Sequence, residues 1–316
     1  MLAFFYFASL FFSNPFAIDI PLTPNPTKED LSRAQQALRR INIEETIHKF
    51  YPLEWEKEGR LLTKHHYDRD DFILRCSRCL QQVLFCVEPI TVFSEGLDKK
   101  RCVVLFSSCN GPYPDMIEEL QIGLREVGFQ GGIYYRIGGY PSPQGDELKF
   151  AGVPYAFKLF MIQEAFQKGF EQVLWLDSAS WPLGSIDDLF DEIKKEGFLF
   201  DWGKPNPFGI LPQASQIIQE YTGKDITKER KVAGWIMGMS ALDSRTTKIL
   251  QDYRHLVELG VPFLSVNPEE YVITSVLLKN GVLPKIKKSL MITCTNNNNS
   301  YIDALKKGCK FIIRAH

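Results

Sequence analysis

Short runs of apolar residues alternate with amphipathic segments through the middle of the chain. Residues 102–106 (CVVLF) and 173–176 (VLWL) are continuously apolar, which is typical of strands buried on both faces of a sheet. Residues 131–137 predict another strand, and 116–127, 155–169 and 186–195 have the apolar pattern of helices. This alternation predicts an α/β fold with a mostly parallel central sheet and helices on both faces.

The overall composition favours a folded chain without a nucleic-acid partner. Of its 316 residues 45% are hydrophobic, which is enough to bury a large core. Lys and Arg number 37 against 38 Asp and Glu, giving a formal net charge of −1. Nucleic-acid binding draws on a basic excess that neutralises phosphates, so we expect none here.

Four regions are predicted along the chain. Residues 1–17 are apolar over a length that suits a signal peptide and is too short for a membrane span. Residues 18–26 are a Pro-rich linker, and 27–95 form a helical N-terminal extension with helix starts at Thr27 and near Asp70. Residues 96–316 form the α/β domain.

The cellular compartment stays open. Residues 1–17 lack the basic start and the small-residue cleavage site of a signal peptide, so export and a cytoplasmic location are both compatible with the sequence. No other segment approaches transmembrane length.

The cysteines do not predict a metal centre. Seven is an odd number, which argues weakly against a fully oxidised disulfide framework. Cys76 and Cys79 form a CxxC motif, but no second CxxC or HxxxH completes a zinc site. Cys76 falls on the apolar face of a helical pattern, and we interpret it as a core residue.

Asp177 directly follows the predicted strand 172–176, which contains the apolar run 173–176. In open parallel sheets ligands bind outside the carboxyl ends of the strands. A carboxylate there can hold a divalent cation, which would neutralise a diphosphate leaving group. Asp is also a common turn and capping residue, so a purely structural role stays open.

Two further segments are expected at the same edge of the sheet. Pro154 opens a helix, and Lys158 in its first turn suits an anion site, although most lysines are simply exposed. Gly234 and Gly238 permit close backbone approach, and Trp235 offers a flat ring for stacking on a sugar. A buried core strand would explain these three residues equally well.

Glu269 and Glu270 begin an amphipathic helix after Asn267 and Pro268. Acidic residues in a first turn usually serve the helix dipole. A carboxylate at this position can also orient or deprotonate an acceptor hydroxyl, and both roles stay open.

Together these segments resemble nucleotide-diphospho-sugar transferases of the GT-A kind. The resemblance covers roughly residues 100–285 and is carried by 154–158 (PYAFK), 173–178 (VLWLDS), 185–190 (SIDDLF), 234–238 (GWIMG) and the helix start at 269–270. The metal motif of that family is Asp-x-Asp. Here residue 179 is Ala, so Asp177 alone matches it.

The resemblance implies a glycosyltransferase that uses a nucleotide-sugar donor and a glycan, protein or lipid acceptor. Asp177 would bind Mn²⁺ or Mg²⁺, and Glu270 would orient or deprotonate the acceptor hydroxyl. The residues that the resemblance places at the donor and its sugar are Ser107, Ser108, Lys158, Ser178 and Trp235.

Two other functions stay open. The missing second carboxylate fits a glycosyltransferase-like domain that binds a nucleotide or glycan without catalysis. A secreted interaction protein would use residues 27–95 to bind a partner. A P-loop NTPase and a nucleophile-elbow hydrolase are not supported, since GxxxxGK[ST] and GxSxG are absent from the sequence.

Overall fold

The computed structural model describes residues 13–20, 25–57, 67–83, 86, 88–285, 290–294 and 299–314. Its helices are α1 Lys28–Leu38, α2 Ile43–Phe50, α3 Leu53–Lys57, α4 Arg69–Val83, α5 Tyr113–Glu126, α6 Phe157–Gln167, α7 Asp187–Glu196, α8 Pro212–Thr222, α9 Thr246–Leu259, α10 Pro268–Lys279 and α11 Asn299–Lys307. Its strands are β1 Ile90–Ser94, β2 Asp98–Ser107, β3 Gly131–Ile137, β4 Gln172–Leu176, β5 Ser180–Pro182, β6 Phe198–Trp202, β7 Val232–Ser240, β8 Met291–Cys294 and β9 Phe311–Arg314. Short 3₁₀ helices occupy Glu147–Phe150 and Val261–Phe263.

The central sheet has six strands in the order β1-β3-β2-β4-β7-β6. β2 pairs in parallel with both β3 and β4. β7 is antiparallel to β4 and to β6, so β6 runs in the direction of β4. Only β1 and β7 run against the rest, which confirms the predicted mostly parallel sheet. β5, β9 and β8 form a second, three-stranded sheet.

Helices cover both faces of the central sheet, as predicted. Val103 and Leu105 of β2 pack on one face against residues of α5 and α7. Cys102 and Val104 pack on the other face against α6, α9, α10 and the N-terminal helices. The continuous apolar run in β2 therefore reflects burial on two sides, because successive side chains of a strand point to opposite faces.

The N-terminal helices are part of the main core. Thr27 caps α1 and forms a capping box with Asp30, which confirms the predicted helix start. Leu31, Ile47 and Phe72 are buried in the same apolar cluster as the sheet. The predicted extension is not helical throughout: Ile90–Ser94 at its end is β1, because these residues pair with β3 at the edge of the sheet.

The segment before the helices is also packed into this core. Phe16, Ile18 and Ile20 are buried, and the N–H of Ile18 donates to the carbonyl oxygen of Lys149 at 2.9 Å. Residues 1–12 of the signal-like segment and 21–24 of the predicted linker lie outside the described residues. In the part of the chain that is described, no helix combines the length and apolar character needed to cross a membrane.

The cysteine side chains that the structure describes are buried in the core or joined in a disulfide. Cys76 and Cys79 are unpaired and buried, and burial raises the pKa of Cys76 to about 12. Cys76 is therefore a core residue, as interpreted from its helical position. Cys86 and Cys109 form a disulfide that ties the segment after α4 to the loop after β2, a pair that the sequence pattern did not predict.

A buried carboxylate on α9 gives a test of this packing. Asp252 is 3% exposed and accepts hydrogen bonds from Tyr221 Oη at 2.7 Å and Asn280 Nδ2 at 2.7 Å. Burial alone would raise the pKa of Asp252, but bonds from Asn280, Tyr221 and Lys279 outweigh it and lower that pKa. The carboxylate therefore stabilises the fold above about pH 4, and this contribution is lost as the pH falls through the lowered pKa.

We expect Asp252→Asn to reduce the free energy of unfolding by about 1–3 kcal/mol at pH 7. The difference from the unsubstituted chain should shrink near pH 3, and urea unfolding at both pH values measures it. Asp191→Asn, at an exposed carboxylate on α7, is the matched control and should have little effect. An equal loss for Asp252→Asn at pH 7 and pH 3 would contradict the electrostatic account.

Candidate functional site

A pocket of about 270 Å³ lies at the carboxyl ends of β2 and β4. Five of the residues predicted from sequence line it: Ser107, Ser108, Lys158, Asp177 and Ser178. Its other walls are largely aromatic, from Phe106, Tyr113, Tyr155, Phe157 and Trp175. We call it the strand-end pocket. The topology rule that placed Asp177 at a ligand crevice thus brings these side chains together.

Lys158 is buried in the wall of this pocket. Its side chain is 5% exposed, and its ammonium lies 3.1 Å from Asp177 Oδ1, 2.8 Å from Glu269 Oε1 and 2.9 Å from the carbonyl oxygen of Gly234. The alternative of a solvated lysine is therefore wrong. An ammonium has three N–H donors, and these three acceptors use all of them. Lys158 joins β4, β7 and α10 and has no donor left over for a diphosphate in this arrangement.

The lysine keeps its charge in this setting. Burial alone would lower the pKa of Lys158, but the carboxylates of Asp177 and Glu269 outweigh it and raise that pKa above the usual value. Burial raises the pKa of Glu269, whose side chain is 6% exposed, against the opposing effect of Lys158. The group is thus a buried cation held between two acidic side chains, and removing Lys158 would leave the buried Glu269 without its cation.

Asp177 has one oxygen engaged and one available. Oδ1 accepts from Lys158 and from Trp175 Nε1 at 3.0 Å, while among the described residues no hydrogen bond reaches Oδ2. The side chain is 39% exposed. Asp177 therefore presents a single oriented carboxylate oxygen to the strand-end pocket.

The predicted divalent cation would find only limited protein ligation here. Within the described ranges no group of three or more His, Cys, Asp or Glu side chains could hold a metal ion. Asp177 Oδ2 can supply one ligand. That fits Mg²⁺, which often keeps several waters and takes substrate phosphate oxygens, and it does not fit a site built wholly from protein.

The serines of the pocket include one unsatisfied hydroxyl. Ser107 is 3% exposed, and its Oγ has no hydrogen-bond partner in the described part of the chain. Ser108 Oγ donates to the carbonyl oxygen of Asn110 at 3.4 Å. A buried polar group without a partner is uncommon. The hydroxyl of Ser107 is accordingly a group that a ligand would satisfy.

Tyr155 has a backbone conformation that needs support. Its φ is +57°, the single positive value at a non-glycine residue among those described, and a bulky side chain is uncommon there. Its N–H donates to Cys79 Sγ at 2.9 Å, and Lys158 lies 5.4 Å from the centroid of its ring. Strain of this kind is often found at ligand sites, which fits its place in the pocket wall.

A second and larger cavity, of about 770 Å³, lies on the other side of residues 233–235. We call it the aromatic pocket. The two remaining predicted residues, Trp235 and Glu270, line it. Glu270 forms an ion pair with Lys231 and accepts from the N–H of Gly234 at 2.8 Å and from Asn267 Nδ2 at 2.7 Å. The adjacent carboxylates of α10 thus pair with different lysines, Glu269 with Lys158 and Glu270 with Lys231.

Gly234 is hydrogen-bonded to one lining residue of each pocket. Its carbonyl oxygen accepts from Lys158 of the strand-end pocket, and its N–H donates to Glu270 of the aromatic pocket. A Cβ at this position would lie 2.3 Å from Glu269 Oε1, so a larger residue would displace that carboxylate from its place beside Lys158. The prediction of close backbone approach at Gly234 is explained by these contacts, and the alternative of a core strand also holds, since 232–240 is β7.

Some contacts of the site were not predicted from sequence. Trp175 lies two positions before Asp177 in the strand direction, and the two-residue period places both side chains on one face, so this contact was open to inference. Tyr155 follows Pro154 and gave no signal of its positive φ. Glu269 could not be separated from Glu270 without knowing how α10 packs.

Known proteins give a limited comparison. No protein-family model and no curated protein matches the chain. Two solved structures of similar fold are glycosyltransferases, the class that the sequence resembles. One is involved in the glycosylation of the major capsid of PBCV-1, at 15% identity and a TM-score of 0.40, covering 67% of this chain and 93% of that one. The other is mouse xyloside xylosyltransferase 1 in its apo form, at 11% identity and a TM-score of 0.39, covering 69% of this chain and 98% of that one. Both TM-scores are below 0.5, so no residue role or activity is carried over from either neighbour.

Proposed function

We propose that this chain is a glycosyltransferase that binds a nucleotide-sugar donor in the strand-end pocket. The observation that carries the proposal is Asp177 at the end of β4, with Oδ1 fixed by Trp175 and Lys158 and Oδ2 left available. A carboxylate oriented in this way needs no rearrangement to meet a cation and the phosphates that accompany it. The sequence resemblance supports the same activity.

The walls of the pocket suit the nucleoside part of such a donor. Tyr155 and Phe157 lie 6.1 Å apart between ring centroids, and Phe157 and Trp175 lie 6.0 Å apart. Phe157 and Trp175 are almost fully buried, at 5% and 1% exposed, so the partly exposed ring of Tyr155 is a face that can stack on a base. Ser107 Oγ adds an unsatisfied polar group. The pocket volume of about 270 Å³ is just below the usual range of about 300–1,000 Å³ for ligand sites, so a nucleotide sugar would extend beyond it.

In this proposal the protein contributes position and charge. Asp177 would hold Mg²⁺ or Mn²⁺ through one oxygen, and that cation would neutralise the departing diphosphate. Lys158 and Trp175 keep the carboxylate in place. Lys158 acts as a positioning residue here, because its ammonium bonds are already made within the protein.

The test is a ligand screen on the purified chain with nucleoside diphosphates and nucleotide sugars, each with and without Mg²⁺ or Mn²⁺. A ligand at about 100 times its Kd stabilises a fold by about 2.7 kcal/mol, so we expect a clear rise in Tm for one nucleotide, larger with the cation. Release of nucleoside diphosphate from the matching donor then measures turnover. Binding without turnover for any acceptor would favour the non-catalytic domain, and no shift with any nucleotide would contradict the proposal.

A further inference from the structure

The aromatic pocket is large, and one of its walls is tied to α10. Its volume of about 770 Å³ lies well within the range of ligand sites. The loop after β6 that forms one wall is held in place, because Tyr271 Oη donates to the carbonyl oxygen of Asn206 at 2.6 Å. The pocket is therefore part of the folded architecture.

The aromatic pocket is lined both by flat apolar side chains and by polar groups that are held in place. Trp235 is partly exposed, and Phe208, Pro205 and Pro207 stand along the opposite loop. Glu270 is held by Lys231, Asn267 and the backbone of Gly234. A carboxylate accepts about four hydrogen bonds, so Glu270 has capacity left for ligand hydroxyls.

The charges around the pocket cancel. The lining holds two lysines, Lys204 and Lys231, and two carboxylates, Asp201 and Glu270. Lys231 is committed to Glu270. An anionic ligand would find no free buried cation among these lining residues, whereas a neutral molecule with many hydroxyls would find both stacking faces and hydrogen-bond partners.

The pocket adjoins the site of the proposed donor. The backbone N–H of Asp177 donates to the carbonyl oxygen of Trp235 at 2.9 Å, so the residue that lines one pocket is bonded to the residue that lines the other. A molecule bound at Trp235 would therefore lie one strand away from Asp177, the residue proposed to face the departing diphosphate.

We propose that the aromatic pocket binds a neutral oligosaccharide, stacked on Trp235 and hydrogen-bonded to Glu270, as the acceptor. The acceptor role rests on the proposed glycosyltransferase function. The binding site itself does not depend on it. A charged glycan and an extended peptide are the competing occupants.

The test begins with the full chain on an array of neutral, sulfated and sialylated oligosaccharides, followed by titration calorimetry with the best neutral one. We expect Trp235→Ala to weaken binding about tenfold or more and Trp235→Phe to weaken it about threefold or less, since a ring face is kept. Ala233→Trp, which fills the pocket without removing a contact, should abolish binding. Trp55→Ala on α3 is the matched control and should bind as the unsubstituted chain does.

Nucleotide-induced Tm shifts, measured on the same variants, separate the two proposals. Loss of sugar binding at Trp235→Ala with an unchanged nucleotide shift supports the acceptor site. If a sugar binds but no nucleotide changes the Tm, the pocket is a saccharide site and the proposed acceptor role is wrong. Preference for sulfated or sialylated glycans, no binding to any neutral glycan, or unchanged affinity in both Trp235→Ala and Ala233→Trp would overturn the inference.

Discussion

Replacing Lys158 by methionine is expected to lower the free energy of unfolding by about 3–5 kcal/mol, as for other buried ion pairs that lose one partner. Methionine has nearly the length of lysine but offers no donor. Glu269 would stay almost fully buried with no cation beside it, and Asp177 would keep only its bond from Trp175. Urea unfolding at pH 7 measures the loss.

The pH dependence of this variant has a definite sign. Burial already raises the pKa of Glu269, and loss of Lys158 removes the effect that opposes it. A carboxyl with a raised folded-state pKa favours the fold at low pH and loses that contribution as the pH rises through the raised value. The defect of Lys158→Met should therefore be smaller at pH 5 than at pH 7.

Two further variants make this result decisive. Glu269→Gln removes the stranded charge, so the double variant Lys158→Met, Glu269→Gln should be more stable than the sum of the two single effects predicts. Lys228→Met removes a lysine that is 81% exposed in its own ion pair and should unfold close to the unsubstituted chain. An unchanged urea midpoint in Lys158→Met would show that the buried cluster does not stabilise the fold.

Asp177→Asn is expected to reduce donor turnover by about 10²–10³-fold while leaving the fold intact. That range is typical when one preorganised group that stabilises transition-state charge is lost. Asparagine can still accept from Lys158 and Trp175 through its side-chain oxygen, but it presents no negative charge to a cation. Released nucleoside diphosphate reports turnover, and the Tm without ligand reports folding.

The concentration of Mg²⁺ or Mn²⁺ needed for half-maximal turnover should also rise in Asp177→Asn. Asp187→Asn is the matched control. Asp187 is the first residue of α7, pairs with Arg101 and lies outside the strand-end pocket. Turnover within about threefold of the unsubstituted chain in Asp177→Asn would remove that carboxylate from the mechanism.

The sheet could be predicted from sequence because its strands are short, continuously apolar and separated by periodic helices. β3 and β4 have the predicted bounds, and the apolar part of β2 was found within a longer strand. β1 was missed because it is an edge strand with exposed and partly exposed residues and so has no buried run to reveal it. α2 and α3 were missed because they are short.

The candidate site could be predicted only as far as chain topology determines it. The rule for strand ends brings Ser107 and Asp177 to one pocket. The burial of Lys158 depends on Glu269, which comes from a distant part of the chain. Neighbouring residues of a helix point about 100° apart, so the orientation of α10 decides that Glu269 meets Lys158 while Glu270 lines the aromatic pocket.

The double use of Gly234 has a consequence for engineering this protein. Its carbonyl oxygen accepts from Lys158, which lines the strand-end pocket, and its N–H donates to Glu270, which lines the aromatic pocket. A library that varies residues 233–235 would disturb both pockets at once. Selectivity is better redesigned from the outer walls, at 107–113 for one pocket and at 203–208 for the other, so that each can be changed while its neighbour stays as it is.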